Sequence, residues 1–410
     1  MLGNTFQKHL DGLIDTIPEQ FLRVLLEKKI KEIGEEPKPE VIDFFCKEIL
    51  AGKYNSSWSD DTDANAPPAT KTIKIDQDDI DQMGEIVAAL GKEMPKLLDE
   101  QSKWAAKEIY KILKKDWLDH VEHLNLFHEA HASYVNEYWG DALNHLDMMI
   151  CLGEELVLEA FEKARKSRAK RNLHKREVQQ KLVVRALNVS QEIVSLLWAG
   201  FPDGASARWR TLHEITVVAN LIDDSDNELS RRYLAHDVVE AKRALDVYCQ
   251  SHEKMGYRAP TKRDQKNVEN AYMAVLDEFG SDFGAEYGWA SKALGIKRPR
   301  FTDLENAVDQ GFRRPFYKQA SISVHAGAGG IMSTLGLLEK DGRIVLGPSV
   351  IGFETVGADT AISLSQVLLG LLPKRTNLDS LILMNTLATL SQNCQKQFEK
   401  ASKKVASEYS

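Results

Sequence analysis

The stretch Phe201-Pro-Asp-Gly-Ala-Ser-Ala-Arg-Trp-Arg-Thr-Leu-His-Glu-Ile-Thr-Val-Val-Ala-Asn-Leu-Ile222 decides the fold class. It opens on a turn, because Pro202 fixes one backbone dihedral and Gly204 accepts a positive one. From Ala205 the residues fall on a helical wheel. Leu212, Ile215, Ala219 and Ile222 form one apolar stripe, and Val217, Val218 and Leu221 form a second. His213, Thr216 and Asn220 remain as a narrow polar side. A helix apolar on two sides is expected deep in a bundle of other helices. Arg210 and Glu214 lie in the second stripe, one turn apart, where burial would demand partners. Two readings are open, a structural ion pair or the centre of a site.

Helical periodicity extends in both directions. Residues 5–52 carry Leu10, Ile14, Phe21, Val24, Leu25 and Ile30 at helical spacing, interrupted by Pro18 and by EEPKPE at 35–40. Residues 77–198 read as almost unbroken helix, with Gly140 the strongest interior stop. Helices are expected again at 229–250 and 302–326, and two more close the chain, the last Lys-rich and prone to fray. Arg343-Ile-Val-Leu-Gly-Pro-Ser-Val-Ile351 is the best hairpin candidate. The sequence therefore predicts an all-α multi-helix bundle with at most a small β-hairpin near 343–351. Its expected divisions are a helical segment at 1–53, a polar linker at 54–72, a long helical connector at 73–138, the bundle at 139–375 and a C-terminal helix at 376–410.

Composition bounds the function. The 410 residues are 43% apolar and 28% charged, with 53 Lys and Arg against 61 Asp and Glu and a formal net charge of -8. That balance argues against wholesale coating of nucleic acid, though not against a local basic site. Cys46, Cys151, Cys249 and Cys394 are far apart and form no CxxC. They exclude a disulfide scaffold or a Cys-based zinc module and fit a reducing, cytoplasmic setting. No signal peptide is read at the start, and no apolar run approaches the ~20 residues a bilayer span requires, so no membrane partner is expected. Gly327, Gly329 and Gly330 follow a helix instead of joining a strand to one. The dinucleotide fingerprint is thus missing and no cofactor is expected.

Several clusters carry candidate chemistry. His120, His123, His128 and His131 hold four of the eleven histidines. Each i, i+3 pair could chelate an ion, but the pairs lie about 12 Å apart along a helix, and zinc needs further ligands from elsewhere. Surface histidines are the simpler reading, and no metal is expected. Lys163 to Arg176 holds eight Lys and Arg and no acid. On a helix, Lys170, Arg171 and their neighbours would grip phosphates without reading bases; a solvated face is the alternative. Arg232, His236, Val239 and Arg243 line one helix face with Glu240 beside them, either a solvated face or the wall of an anionic-ligand pocket. Tyr317, Ser321 and His325 recur every four residues. A nucleophilic serine would also need an oxyanion hole and a carboxylate, and no GxSxG elbow exists.

Arg208 with His213, and Arg231 with His236, satisfy the R-x4-6-H spacing of HEPN-type ribonucleases. Five residues rotate two side chains roughly 140° apart in one helix, so neither pair meets unaided. Of the residues after each Arg, Trp209 and Arg232, only the second is polar as that motif commonly has it. Taken in order, Gly200-Phe-Pro-Asp-Gly-Ala205, Arg208-Trp-Arg-Thr-Leu-His-Glu214, Arg232-Tyr-Leu-Ala-His236, Tyr287-Gly-Trp-Ala290 and Tyr317-x3-Ser321-x3-His325 resemble a known set. It is that of a bacterial family of unknown function built around WRTLHE and YxxxSxxxH helices. The likeness covers roughly residues 139–372. It implies a helical bundle and bacterial mobile-element or defence contexts, with no established reaction.

Three helices of such a bundle would gather Arg210, Glu214, Arg232, His236 and His325 as a catalytic set, with Tyr317, Ser321, Lys170 and Arg171 binding substrate. Two guanidiniums for a phosphate, imidazoles for proton transfer and an orienting Glu suit metal-independent RNA cleavage through the 2′-hydroxyl. The first expectation is a bacterial defence or toxin effector with HEPN-like ribonuclease activity, partnered by RNA and acting as a homodimer. The alternative is a non-enzymatic helical binding module, for a nucleotide signal or a protein partner, whose polar cluster is structural. A metalloenzyme using the histidines at 120–131 is a third.

Overall fold

The computed structural model describes residues 2–53, 55–59, 70–166, 172–332, 335, 347–372 and 377–409. The chain is all-α with one small hairpin among these residues. The first part holds α1 (Leu2–Glu32), α2 (Pro39–Leu50), β1 (Asn55–Ser59), β2 (Thr70–Lys74) and α3 (Gln77–Lys115). There follow α4 (Trp117–Lys166), α5 (Leu173–Trp198), α6 (Pro202–Asp224), α7 (Asn227–Ala235), α8 (Asp237–Ser251) and α9 (Lys262–Phe279). The short α10 (Ser291–Leu294), α11 (Phe301–Ala307), α12 (Arg314–Ile322) and α13 (Ala328–Met332) precede the closing pair, α14 (Phe353–Leu369) and α15 (Leu378–Tyr409). No helix of the described residues is long and apolar enough to cross a membrane.

The hairpin is antiparallel, with Asn55 opposite Lys74 and Ser59 opposite Thr70. It occupies both ends of the stretch read as a linker, where β-branched Thr70, Thr72 and Ile73 favour extended backbone. Of the expected hairpin at 343–351, residues 343–346 lie outside the described residues and 347–351 form no strand.

The chain divides into two compact units, residues 1–120 and 121–410. In the first, Leu22, Leu26 and Ile30 of α1 close on Val41, Ile42 and Phe45 of α2 and on Ile73 of β2. Lys29 pairs with Asp79 at the start of α3 and donates to the Lys74 carbonyl at 3.1 Å. Asp76 and Asp79 cap that helix reciprocally.

In the second unit α6 is central, packed by α5, α11, α12 and α14. Pro202 occupies its first turn, so the expected turn is the helix start, where a missing N–H is harmless. The long expected helix at 77–198 breaks at Asp116 and again before α5, where Asn172 is left-handed. It does not stop at Gly140, which lies buried inside α4. Neighbouring Trp139 donates to the Val350 carbonyl at 2.8 Å and stacks on Phe353 at 5.0 Å. It also meets Phe398 of α15 at 5.8 Å. Gly357 admits that ring, since a Cβ there would overlap it. The Lys-rich end of the chain is therefore anchored through Phe398, Ala401 and Val405 instead of fraying. The helix expected at 302–326 is divided, because Asp309 is left-handed and Pro315 can begin a helix but not continue one.

Candidate functional site

The polar side assigned to α6 faces the core. His213 is fully buried, and its Nε2–H donates to Glu305 of α11 at 3.0 Å, also fully buried. Arg314 of α12 completes the chain, 2.7 Å from the other Glu305 oxygen. Trp209 stacks on His213 with ring centroids 5.4 Å apart and donates to Ser363 of α14 at 3.2 Å. Thr216 returns its hydroxyl to the Leu212 carbonyl at 2.8 Å. The buried Nδ1 of His213 has no partner among the described residues, a loss of about 1–3 kcal/mol that the packing absorbs.

Arg210 and Glu214, expected inside, are only half-buried, at 29% and 37% exposure. They pair at 3.2 Å. Tyr317 of α12 donates to the same Glu214 oxygen at 2.6 Å, and the Arg210 guanidinium lies 4.9 Å over its ring. Burial, helped by Glu214, pushes the Tyr317 phenol up to about 12. Arg210, Glu214 and Tyr317 thus converge as the sequence suggests.

Arg232 and His236 do not join them. Arg232 is buried and donates through Nε to the Trp289 carbonyl at 3.0 Å and through Nη2 to the Gly288 carbonyl at 3.1 Å. It reaches the Ser291 hydroxyl at 3.2 Å. His236, 2% exposed, donates from Nε2 to the Ala285 carbonyl at 3.0 Å and sets Nδ1 3.7 Å from Glu240. Both hold the 285–291 stretch, and within it Gly288 packs against the Phe283 and Asp282 carbonyls, which a Cβ there would overlap.

The remaining candidates also disperse. Ser321 gives its hydroxyl to the Tyr317 carbonyl at 2.8 Å, and His325 is exposed beyond the end of α12. Arg208 pairs with Glu192 of α5, away from His213, and Arg231 pairs with Glu228 and Glu278, away from His236. The basic run is no single helix, because α4 ends at Lys166 and α5 begins at Leu173. Lys170 and Arg171 lie outside the described residues. Arg165 and Lys166 each sit 3.1 Å from Glu162, and Lys175 donates to the carbonyls of Asp223 and Ser225 at 2.6 and 2.9 Å. His120, His123 and His128 are exposed. Among the described residues no three His, Cys, Asp or Glu side chains are placed to hold an ion.

Burial holds His131, His213 and His236 below the ordinary histidine range, outweighing the pull of Glu305 on His213 and of the Ala285 carbonyl on His236. Between the depressed folded values and ~6.5 the unfolded chain binds more protons, so stability rises with pH through that window and falls on acidification. Melting temperature is expected to drop between about pH 7.5 and pH 5.5, with a shallower slope in His236→Gln. A wild-type profile flat across that interval would contradict the assignment.

What α6 and the 285–301 stretch enclose is a pocket of about 350 Å³. It is lined by Glu214 and Val218 of α6, Arg185 of α5, Glu240 of α8, and Tyr287 and Trp289. Trp289 is fixed edge-on to Tyr233 at 4.9 Å. The sequence reading missed Glu286 and Glu305 altogether. Glu305 carried a signal, a single acid on the apolar stripe of Phe301 and Leu304.

Fold and site together define an all-α bundle with a small polar and aromatic pocket beside its central helix. Residues 158–343 match the model of a family of unknown function, DUF5677, which includes every residue of that pocket. The match bears out the resemblance to a family of unknown function for those residues. No curated protein and no solved structure matches the chain.

Proposed function

We propose that residues 121–410 form a ligand-binding module whose pocket takes a small organic cation, with the polar residues of α6 and α7 serving as its frame. The lining carries this reading. Four aromatic residues, Tyr233, Tyr287, Trp289 and Phe301, and three acids, Glu214, Glu240 and Glu286, line it against one arginine, Arg185, with Glu214 also paired to Arg210. Aromatic faces attract cations through their quadrupoles, and carboxylates supply counter-charge. A volume of about 350 Å³ suits a small molecule. Burial is the main cause that raises Tyr287 and Tyr233, with the charges of Glu286 and Glu214 adding to the first and Glu240 to the second.

A phosphodiester would meet those carboxylates, while Arg232 is engaged by carbonyls and Arg210 by Glu214. Cation binding therefore has more support than RNA cleavage. Agmatine, spermidine and choline are the probes, read by thermal unfolding. Saturation to about a hundredfold over Kd adds roughly 2.7 kcal/mol, several degrees for a unit of this size. At least one probe is expected to stabilise the protein, and Glu214→Gln with Glu286→Gln to remove the effect. Stabilisation by inorganic phosphate or AMP instead would sink the reading. Cleavage of labelled RNA in EDTA, lost in Glu214→Ala and His236→Ala, would establish the ribonuclease in its place.

A further inference from the structure

We propose that α3 is one strand of a parallel two-stranded coiled coil, and that the other strand is α3 of a second copy of this chain. Its apolar residues recur every 3.5 positions. Ile80, Val87 and Met94 alternate with Met83, Leu90, Leu97 and Trp104 as a and d residues, and Gln101 is the one polar member. That period marks a supercoiled seam and not the face of a solitary helix. Yet no described side chain of this 39-residue helix is buried, and Val87 and Trp104 are 54% and 61% exposed. Intrinsic propensity does not sustain it, because Gly84, Gly91 and Pro95 are all poor helix formers in its interior.

The seam specifies its occupant. From Ile80 to Trp104 it spans about 36 Å at the helical rise. Covering seven large apolar side chains from each of two copies, at roughly 100 Å² apiece, buries on the order of 1,400 Å², within the range of stable interfaces. β-branched Ile80 and Val87 at a, with Leu90 and Leu97 at d, favour two strands. Charge selects the orientation. The g positions are Asp79, Ile86, Glu93, Glu100 and Lys107, and the e positions are Gly84, Gly91, Leu98 and Ala105. A parallel, in-register pair sets every g residue against an uncharged e residue. Antiparallel registers that keep this seam on itself bring the g rows together, with Glu93 or Glu100 facing another acid. An in-register copy also places Gln101 opposite its twin, where the two amides satisfy each other.

Light scattering on the full chain at micromolar concentration is expected to give a dimer. Val87→Glu with Leu90→Glu is expected to yield a monomer of unchanged helical circular dichroism, the dissociation constant rising at least a hundredfold. Gln101→Cys is expected to form an interchain disulfide on oxidation that the wild type, with its four native cysteines, does not form. This crosslink decides the question even where the glutamate variant fails to fold. A monomeric wild type, a dimer indifferent to the seam substitutions, a trimer or larger assembly, or a Gln101→Cys chain that does not crosslink would each overturn the proposal.

Discussion

Asp359→Ala is expected to destabilise residues 121–410 by about 3–5 kcal/mol, because it strands a buried cation. Asp359 of α14 pairs with Arg313 ahead of α12, where the two side chains are 11% and 4% exposed. The guanidinium lies 5.7 Å over the Trp209 ring, with little water to replace a lost carboxylate. At roughly 2–4 °C per kcal/mol, melting should fall by about 6–20 °C. Removing both charges, as Arg313→Met with Asp359→Leu, is expected to recover most of that, since the desolvation of two ions vanishes along with their attraction. Burial lifts Asp359 above the usual carboxylate range despite Arg313. Asp359 therefore binds a proton more readily in the fold than in the unfolded chain. Its contribution is full below the unfolded value near ~3.9 and is lost as pH rises through the raised folded value. Asp359 is thus no source of acid lability. Melting curves of wild type, single and double variants test this, and a double variant no more stable than Asp359→Ala would show that the pair is not an isolated unit.

The depth of α6 is legible from its residues, because apolar stripes on two sides leave no orientation in which a surface helix could bury both. Which polar residues face inward is not legible. The wheel sets His213 and Thr216 apart as a narrow polar side without saying what meets them, and the fold satisfies them internally. His213 finds Glu305 ninety-two positions along, and spacing within one helix holds no trace of a pair made by tertiary approach. Arg232 and His236 were read onto one face of a continuous helix at 229–250, but α7 ends at Ala235 and α8 begins at Asp237, and their main partners are backbone carbonyls, which have no residue identity to read. The hairpin was sought in the apolar run at 343–351. It is observed in a polar stretch where buried Ile73 joins the core of the first unit. Amphipathic patterning carries the large apolar surfaces faithfully and the small polar contacts poorly.

Arg232→Leu is expected to cost about 2–4 kcal/mol and to abolish binding of the cation probes as well. Three donations end at once, to the Trp289 and Gly288 carbonyls and to Ser291. The Trp289 carbonyl left without this donor loses about 1–3 kcal/mol, offset in part by leucine filling the space, while the Gly288 carbonyl keeps the Ser291 hydroxyl and backbone N–H as donors. The Arg232 guanidinium also lies 5.0 and 5.1 Å over the rings of Phe279 and Phe283, a contact leucine keeps only as dispersion. Because Tyr287 and Trp289 wall the pocket, releasing residues 285–291 unmakes the aromatic lining. Arg232→Lys keeps the charge but cannot span both carbonyls with one planar fork, so it should fail similarly. A phosphate-gripping Arg232 predicts the opposite pattern, an intact melting temperature with loss of activity, and lysine as a partial substitute. Thermal unfolding and probe titration of both variants separate the two. A normal melting temperature in Arg232→Leu would mean that residues 285–291 are held by other contacts, and would return this arginine to the chemistry of the site.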